Sequence, residues 1–498
     1  MGCPRRTRLA AAAFLAAAGT ATAQGRSGLA ADAPAGWKPG DGRGVAALFH
    51  ALHGAGVNVR GPGAAPVTRS VSNCADDDAT DTLRAAVAAA SSGDTIDLSG
   101  LACSAITLAQ GAIAIDVDYL TISGRGADTL AIDGAGADRV FVDYGYGTLT
   151  LSGLTVRNGS SRVAGYRIAG GACILSGAYV TLDHAAVRNC TSIGEGAYGG
   201  GILSTGVTLY ASRLSGNVAQ GARLNTLTAS YGGGAFAYFG TAALYDSTVS
   251  GNRAVPDPAA AFGSYDTGAG IFADNGGYAS RSTISGNYTD GTGGGIASHY
   301  GFFITNSTIS GNTAKNKAGG GVFVRTHGAM SVFNSTITLN SSAHGGGLYL
   351  SGQPSTVELQ STLIADNAVS DIAGQQALAL SGANNLVTSA EAMVTLPAGT
   401  LRGNPRLLPL ADNGGPTRTH ALAAGSPALD AGSNPLQLTT DQRGNGFART
   451  LGSATDIGAF EGGQTSLAAD AVPASRAWLS VLVGLLAWSG LSAARRRV

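Results

Sequence analysis

Gly293-Gly294-Gly295-Ile296-Ala297-Ser298, followed after a short gap by Ser307-Thr308-Ile309-Ser310-Gly311-Asn312, is the phrase on which the fold turns. It recurs as GGGVFV (319–324) with STITLN (335–340), and as GGGLYL (345–350) with STLIAD (361–366). A unit this short cannot bury a core alone, so its copies must stack. Looser copies lie upstream. Glycine runs end at Gly171, Gly201, Gly234, Gly270, Gly295, Gly321 and Gly347, each paired with a polar landmark: Asn189, Asn217, Asn252, Asn287, Asn312, Asn340 and Asp366. Glycine to landmark takes 16–19 residues, whereas landmark to the next glycine takes 7–18. A segment of fixed length stacks on its neighbours. The variable one reads as loops that leave the stack at a single corner, longest between Asn189 and Gly270.

Within the fixed segment the residues alternate. After each glycine run the first position reads Ile202, Ala235, Ile271, Ile296, Val322, Leu348, and the third reads Ser204, Ala237, Ala273, Ser298, Val324, Leu350. Period two turns these inward and the second and fourth positions outward. A later strand places Leu214, Val249, Ile284, Ile309, Ile337 and Leu363 in the core, each two residues after a serine (Ser212 to Ser361). Apolar strands continue upstream through Ile106, Ile113, Ile115, Ile122, Ile132, Val140, Val142, Leu149 and Leu151. Coils of about 25–30 residues with several short strands predict an all-β chain, a right-handed parallel β-helix of roughly ten coils. The Asn series suits left-handed turns and bonding along the axis. Thr80–Ala90 reads as an amphipathic helix capping the open N-terminal end.

Composition bounds the rest. The chain has 498 residues, 76 of them Gly, only 12% charged, with Lys+Arg and Asp+Glu equal at 31. A neutral chain has no general attraction for nucleic acid. Arg5, Arg6 and Arg8, an apolar run Leu9–Ala18 and Ala21-Thr22-Ala23 form an export signal over 1–23. Four cysteines then remain, an even count that suits disulfides in an exported chain. Of the three pairings, Cys74–Cys103 and Cys173–Cys190 join neighbours in sequence. Residues 24–73 are Gly/Ala/Pro-rich and read as a flexible segment; 74–403 read as the β-helix with its cap. The run Asp76-Asp77-Asp78 reads as a solvated turn. After a linker at 462–471, residues 472–498 join an apolar stretch, Trp478–Ala494, to Arg495-Arg496-Arg497. That pattern fits a C-terminal anchoring helix with its basic end toward the cytoplasm.

Two resemblances follow from these residues. Val472-Pro473 and Trp478 ahead of the apolar span and Arg cluster resemble the IPTL-type C-terminal sorting signals of Gram-negative bacteria, with Ala474-Ser475-Arg476 departing from the usual residues. The string from Asn404-Pro405 through Ala411-Asp412-Asn413-Gly414-Gly415-Pro416-Thr417, Gly425-Ser426-Pro427-Ala428, Asp441-Gln442-Arg443-Gly444 and Asp456-Ile457-Gly458-Ala459-Phe460-Glu461 resembles the choice-of-anchor Q domain of bacterial surface proteins. The coils are similar to the pectin-lyase-like superfamily and to polymorphic outer-membrane protein repeats. These resemblances imply a cell-surface location, a membrane contact through the tail before processing, and a sorting enzyme as partner. They imply no reaction. Residues 404–461 are expected to finish or cap the solenoid.

Chemistry is sparse. A polysaccharide lyase needs a base and a cation to neutralise the uronate; a hydrolase needs paired carboxylates. The outward second positions, Leu203, Phe236, Phe272, Ala297, Phe323 and Tyr349, form an aromatic strip with Tyr238, Asp274, His299 and Arg325 beside it. Phe236, Tyr238, Phe272, Phe323 and Tyr349 are therefore candidate glycan contacts, since sugar C–H faces pack on rings. The competing reading turns these rings into packing. His299, Arg325 and Asp274 are the candidate catalytic groups. The coil histidines His184, His299, His327 and His344 fall at unequal offsets, so no metal or cofactor is expected. The reading is an exported, envelope-anchored surface protein with an adhesion or glycan-contact role. The alternatives are a polysaccharide lyase or glycoside hydrolase, and a structural spacer.

Overall fold

The computed structural model describes residues 31–32, 43–54, 57, 59–61, 65–77, 79–162, 167–222, 228–256, 265–325, 328–352 and 356–462. The export signal, His327 and the C-terminal tail lie outside them. One coil shows the plan. Ile202–Ser204 (sheet 1) leads to Gly206–Tyr210 (sheet 2), Arg213–Ser215 (sheet 3), Val218–Gly221 (sheet 4) and Ala229–Tyr231 (sheet 5), and Ala235–Ala237 then begins the next coil. The sheets contain 10, 12, 11, 7 and 5 strands, paired in parallel except for Ala31–Asp32, which runs antiparallel to Arg167–Gly170. The chain is all-β, a right-handed parallel β-helix, the hand that parallel crossovers take.

The alternation read from the repeat holds. First and third positions of sheet 1, the second and fourth of sheet 2, and the centre of each sheet 3 strand line one continuous core. Two corners are set by left-handed residues. Between sheets 2 and 3 each coil carries one: His184, Ala211, Asp246, Arg281, Asn306, Asn334 and Ser361, at φ 44–52°. After sheet 3 come Asn189, Gly216, Gly251, Gly286, Gly311, Leu339 and Asp366, at φ 57–65°. A non-glycine residue held there costs about 1 kcal/mol, so neighbouring coils must enforce the turn.

They do so with two buried ladders. The Asn252 backbone N–H and Nδ2–H both donate to Asn287 Oδ1, at 3.0 and 2.9 Å, and Asn287 does the same to Asn312. Each Nδ2 also donates to a strand carbonyl: Asn287 to Val249 at 3.0 Å, Asn312 to Ile284 at 2.9 Å. The ladder runs from Asn217 to Asn367 and ends on Asp371 Oδ1, an acceptor with no hydrogen to pass on. One corner away, the N–H of Ser212, Ser247, Ser282 and Ser307 each donates to the next coil's serine Oγ at 3.1–3.2 Å.

The last copy is displaced by one residue from its sequence reading. Ile337 pairs with Ile364, so Leu363 faces outward, and Asn367 rather than Asp366 joins the ladder. At the other end Cys190, not Asn189, takes the ladder place, its N–H donating to Asn217 Oδ1 at 3.1 Å. Cys173 donates its N–H to Gly201 O, directly below the glycine that packs against Asn217. The Cys173–Cys190 disulfide therefore replaces one glycine–asparagine contact, and Cys74–Cys103 is the second bond.

Four further expectations are corrected. The variable segments are not simply loops: from Ser160 onward they return as the strands of sheets 4 and 5. Residues 24–73 contain helix α1 (Arg43–His53), whose Val45, Leu48, Phe49 and Leu52 sit at i, i+3, i+4 and i+7 and are buried. Asp76 is no solvated turn residue. It pairs with Arg84 of the cap helix α2 (Leu83–Ala89) at 2.8 Å and accepts the N–H groups of Ala109 and Gln110. Although burial pushes its carboxyl up, these bonds together hold it below the ordinary value. Finally, residues 404–461 do not close the C-terminal end. They lie along the outer face of sheet 3, where Thr308 donates to Gln442 Oε1 at 2.6 Å, Asn306 to Thr440 O at 2.7 Å and Ala459 N to Thr336 Oγ1 at 3.0 Å. Leu363 packs there against Ala428 and Ile457. The core end is closed instead by Leu378, Leu380 and Val394.

Two outcomes test this fold. Asn287→Ala strands the Asn252 N–H inside the wall and should lower stability by about 3 kcal/mol in urea denaturation; a loss under about 0.5 kcal/mol would show that the ladder is dispensable. Asp143 faces inward beside Ser176 (Oγ to Oδ2 2.7 Å), and burial pushes its carboxyl up to about 6. The folded state thus retains a proton that the unfolded chain releases. The stabilisation is full below about pH 4 and lost as pH rises through about 6, on the order of 2–3 kcal/mol. Asp143→Ser, matching Ser176 and Ser204 of the following coils, should flatten that part of the pH–stability curve.

Candidate functional site

The outward strip begins with the register of sheet 1. Leu203, Phe236, Phe272, Ala297, Phe323 and Tyr349 do point away from the core, as the alternation requires. All but Tyr349 share a second apolar cluster, separate from the solenoid interior. Sheet 5 rises beside them as a wall, and α1 lies in the angle between wall and strip. Phe49 packs on Tyr238 with ring centroids 5.0 Å apart, and His53 stacks on Tyr146 at 4.5 Å. Tyr198 and Tyr231 of the wall stack at 5.4 Å and meet Phe236 and Phe272.

This divides the candidates. Phe236, Tyr238 and Phe272 are buried, at 3%, 7% and 2% exposure, Tyr238 against Phe49 of α1 and the other two among Tyr198, Tyr231 and each other, so they present no surface to a ligand. Burial, then the nearby Asp274 charge, push the Tyr238 hydroxyl up to about 12. Packing is what these three rings do, and the same holds for Val142 and Leu175 upstream, which belong to this outer cluster. Phe323 and Tyr349 lie beyond the helix, half-buried, with rings 5.7 Å apart and 3° from parallel.

The three catalytic candidates converge. They hold the fourth position in successive coils, one pleat from the strip. His299 Nδ1 lies 3.2 Å from Asp274 Oδ1, and Arg325 NH1 lies 3.4 Å from His299 Nε2. The Phe272 ring meets the imidazole edge-on at 5.1 Å. Asp274 is further held by the Phe239 N–H, which donates to its Oδ2 at 2.8 Å. Chemically this is a carboxylate that fixes the tautomer of a histidine, and a histidine whose other nitrogen faces an exposed guanidinium. His344 sits apart, 3.7 Å from Glu391, and His184 pairs with Asp183 at 2.7 Å. Among the described residues no three His, Cys, Asp or Glu side chains are grouped to hold a metal.

A hollow of about 560 Å³ lies elsewhere, between sheets 3 and 4, lined by Asp133, Asn158, Arg162 and Asn189 among others. Its carboxylate is fully engaged: Asp133 accepts from Ala135 N, Asn158 Nδ2 and Arg157 Nε at 2.7–3.0 Å. It has no connection to the strip.

Sequence reasoning missed a second aromatic row. Tyr210, Tyr245, Tyr278, Phe303 and Phe333 stack at 5.0–5.4 Å on the outer face of sheet 2. The available signal was an aromatic residue two places before the ladder serine, at Tyr210, Tyr245 and Phe333. The i, i+3, i+4, i+7 spacing of α1 was equally legible but sits in a Gly/Ala-rich stretch that masks it.

A family model described as "Right handed beta helix region" matches residues 264–395. The crystal structure of pectate lyase Pel9A is similar at 15% identity and a TM-score of 0.42, covering 80% of this chain and 97% of that chain. No curated protein matches.

The covering role of α1 is testable. Phe49→Ala should release the helix by about 3–5 kcal/mol of lost packing. Amides of 43–53 would then exchange at least a hundredfold faster and an apolar dye would bind, while sheet 2 and sheet 3 amides keep their protection. Equal loss of protection throughout would mean that α1 is integral to the solenoid.

Proposed function

We propose that this chain is an exported, envelope-anchored surface protein that contacts glycan without cleaving it, through the part of the sheet 1 strip that α1 leaves open. The observation that carries the reading is the parallel Phe323–Tyr349 pair beside the exposed Arg325. It offers a flat apolar platform and a cation with no carboxylate partner among the described residues, the combination that binds sugar rings and their acidic substituents. Two disulfides, the anchor-Q-like string 404–461 and the sorting-type tail support an exported, surface-held chain.

The line Asp274–His299–Arg325 favours a second reading, a polysaccharide lyase. There His299 would take the proton from the carbon beside a uronate carboxylate held by Arg325. The C–H electron pair would form a carbon–carbon double bond as the glycosidic C–O bond breaks, and the departing oxygen would take a proton from water. Against it, His299 Nδ1 faces Asp274 and Nε2 is turned toward the Arg325 guanidinium. A base needs that lone pair facing its substrate. A plain spacer remains if no glycan is bound.

The test uses the purified chain with alginate, hyaluronan and cello-oligosaccharides. Binding is expected with no new double bonds and no new reducing ends. Tyr349→Ala should weaken binding at least tenfold and leave the urea midpoint nearly unchanged. Turnover that disappears in His299→Ala would establish the lyase instead.

A further inference from the structure

Phe239 occupies the tip of the turn between sheets 1 and 2, and it is anomalous twice over. Its backbone is left-handed at φ 58°, and its ring is 71% exposed. Glycine would fill such a position without strain, and a polar residue would avoid exposing a ring. The conformation is nevertheless enforced from the next coil. Phe239 N donates to Asp274 Oδ2 at 2.8 Å, and the Asn275 side-chain amide donates to Phe239 O. The ring itself rests against Tyr238, centroids 4.1 Å apart. Strain and exposure that the neighbouring coil actively maintains point to use rather than neglect.

The register supplies the rest. Phe236 pairs with Phe272 and Phe272 with Ala297, so Phe239, Asn275 and Tyr300 hold the same turn place in successive coils. Tyr300 is also exposed, at 48%. Phe239 and Tyr300 therefore stand two coils apart along one corner, about 9.6 Å, close to the length of two pyranose rings in an extended chain. Between and beside them lie the exposed Asn275, the Asp274–His299 pair and the Arg325 charge.

Resting on the glycan reading above, we infer that Phe239 and Tyr300 are paired ring platforms for a linear polysaccharide lying parallel to the solenoid axis, each stacking on every second sugar, with Asn275 and Arg325 meeting polar groups between them. This assigns the ligand a class and a direction, and extends the contact from the Phe323–Tyr349 face around the corner.

The test is made on the full chain with alginate, hyaluronan and cello-oligosaccharides of two to eight sugars, by titration and by urea denaturation. Phe239→Gly is expected to fold with equal or greater stability, because it relieves the left-handed strain, yet to bind at least tenfold more weakly. Tyr300→Ala should weaken binding similarly. Affinity in the native protein should rise sharply between two and four sugars, when the second platform is reached. If Phe239→Gly and Tyr300→Ala bind normally while Tyr349→Ala does not, the platforms are overturned and the glycan reading stands. The same holds if Phe239→Gly loses stability and keeps its affinity. If the native protein binds none of these chains, the glycan reading fails and the platforms with it.

Discussion

The asparagine ladder is the interaction on which the rest depends. Each buried amide takes two hydrogens from the coil on one side and gives two away, so no rung is left short of a partner. A lone buried amide would be costly; a continuous column of them is satisfied only if every coil keeps the same register. That requirement explains the fixed spacing from glycine to asparagine, since the glycine faces the amide it packs beneath, as Gly270 does Asn287. It also explains how the column ends. A disulfide takes the glycine and asparagine places at Cys173 and Cys190, and the Asp371 carboxylate, which only accepts, receives the last rung.

With register locked where glycine meets asparagine, the chain that leaves this seam after each asparagine and returns to it at the next glycine run is free to vary. The chain uses that freedom to add sheets 4 and 5, whose wall gives α1 a place to lie. The consequence for function is a partition of a single outward strip. Its upstream rings are consumed by α1 and the tyrosines of sheet 5, while Phe323, Tyr349, His299 and Arg325 remain at the surface. Residues 404–461 make a similar use of sheet 3, covering the outer Thr and Ser positions with Gln442 and His420. What is left bare on the solenoid is therefore the aromatic row of sheet 2 and the sheet 1 face with its adjoining corner, where Phe323 and Tyr349 stand beside Arg325.

The repeat made most of the fold legible, because inward residues in a stacked coil must alternate and must recur. It failed where a single residue shifts the frame. STLIAD looks like a further copy of STISGN, but the last coil pairs Ile364 with Ile337, and only the ladder bond to Asn367 reveals this. It also failed where meaning depends on what lies outside a strand. Phe236 and Phe323 occupy the same position of the same repeat, yet one is buried against the tyrosines of sheet 5 and the other is only half-buried.

From the residues alone came the β-helix, its core positions, the capping helix, the cysteine partners as neighbours, and the outward direction of the aromatic strip. These follow from local alternation and periodic recurrence, which a linear chain displays directly. Only the tertiary structure decided which outward residues stay in contact with solvent, that Asp274, His299 and Arg325 form one line, and that residues 404–461 lie along the flank rather than across the end. Each of these depends on segments distant in sequence meeting on one surface. Periodicity sets which way a side chain points, but not what comes to rest on top of it.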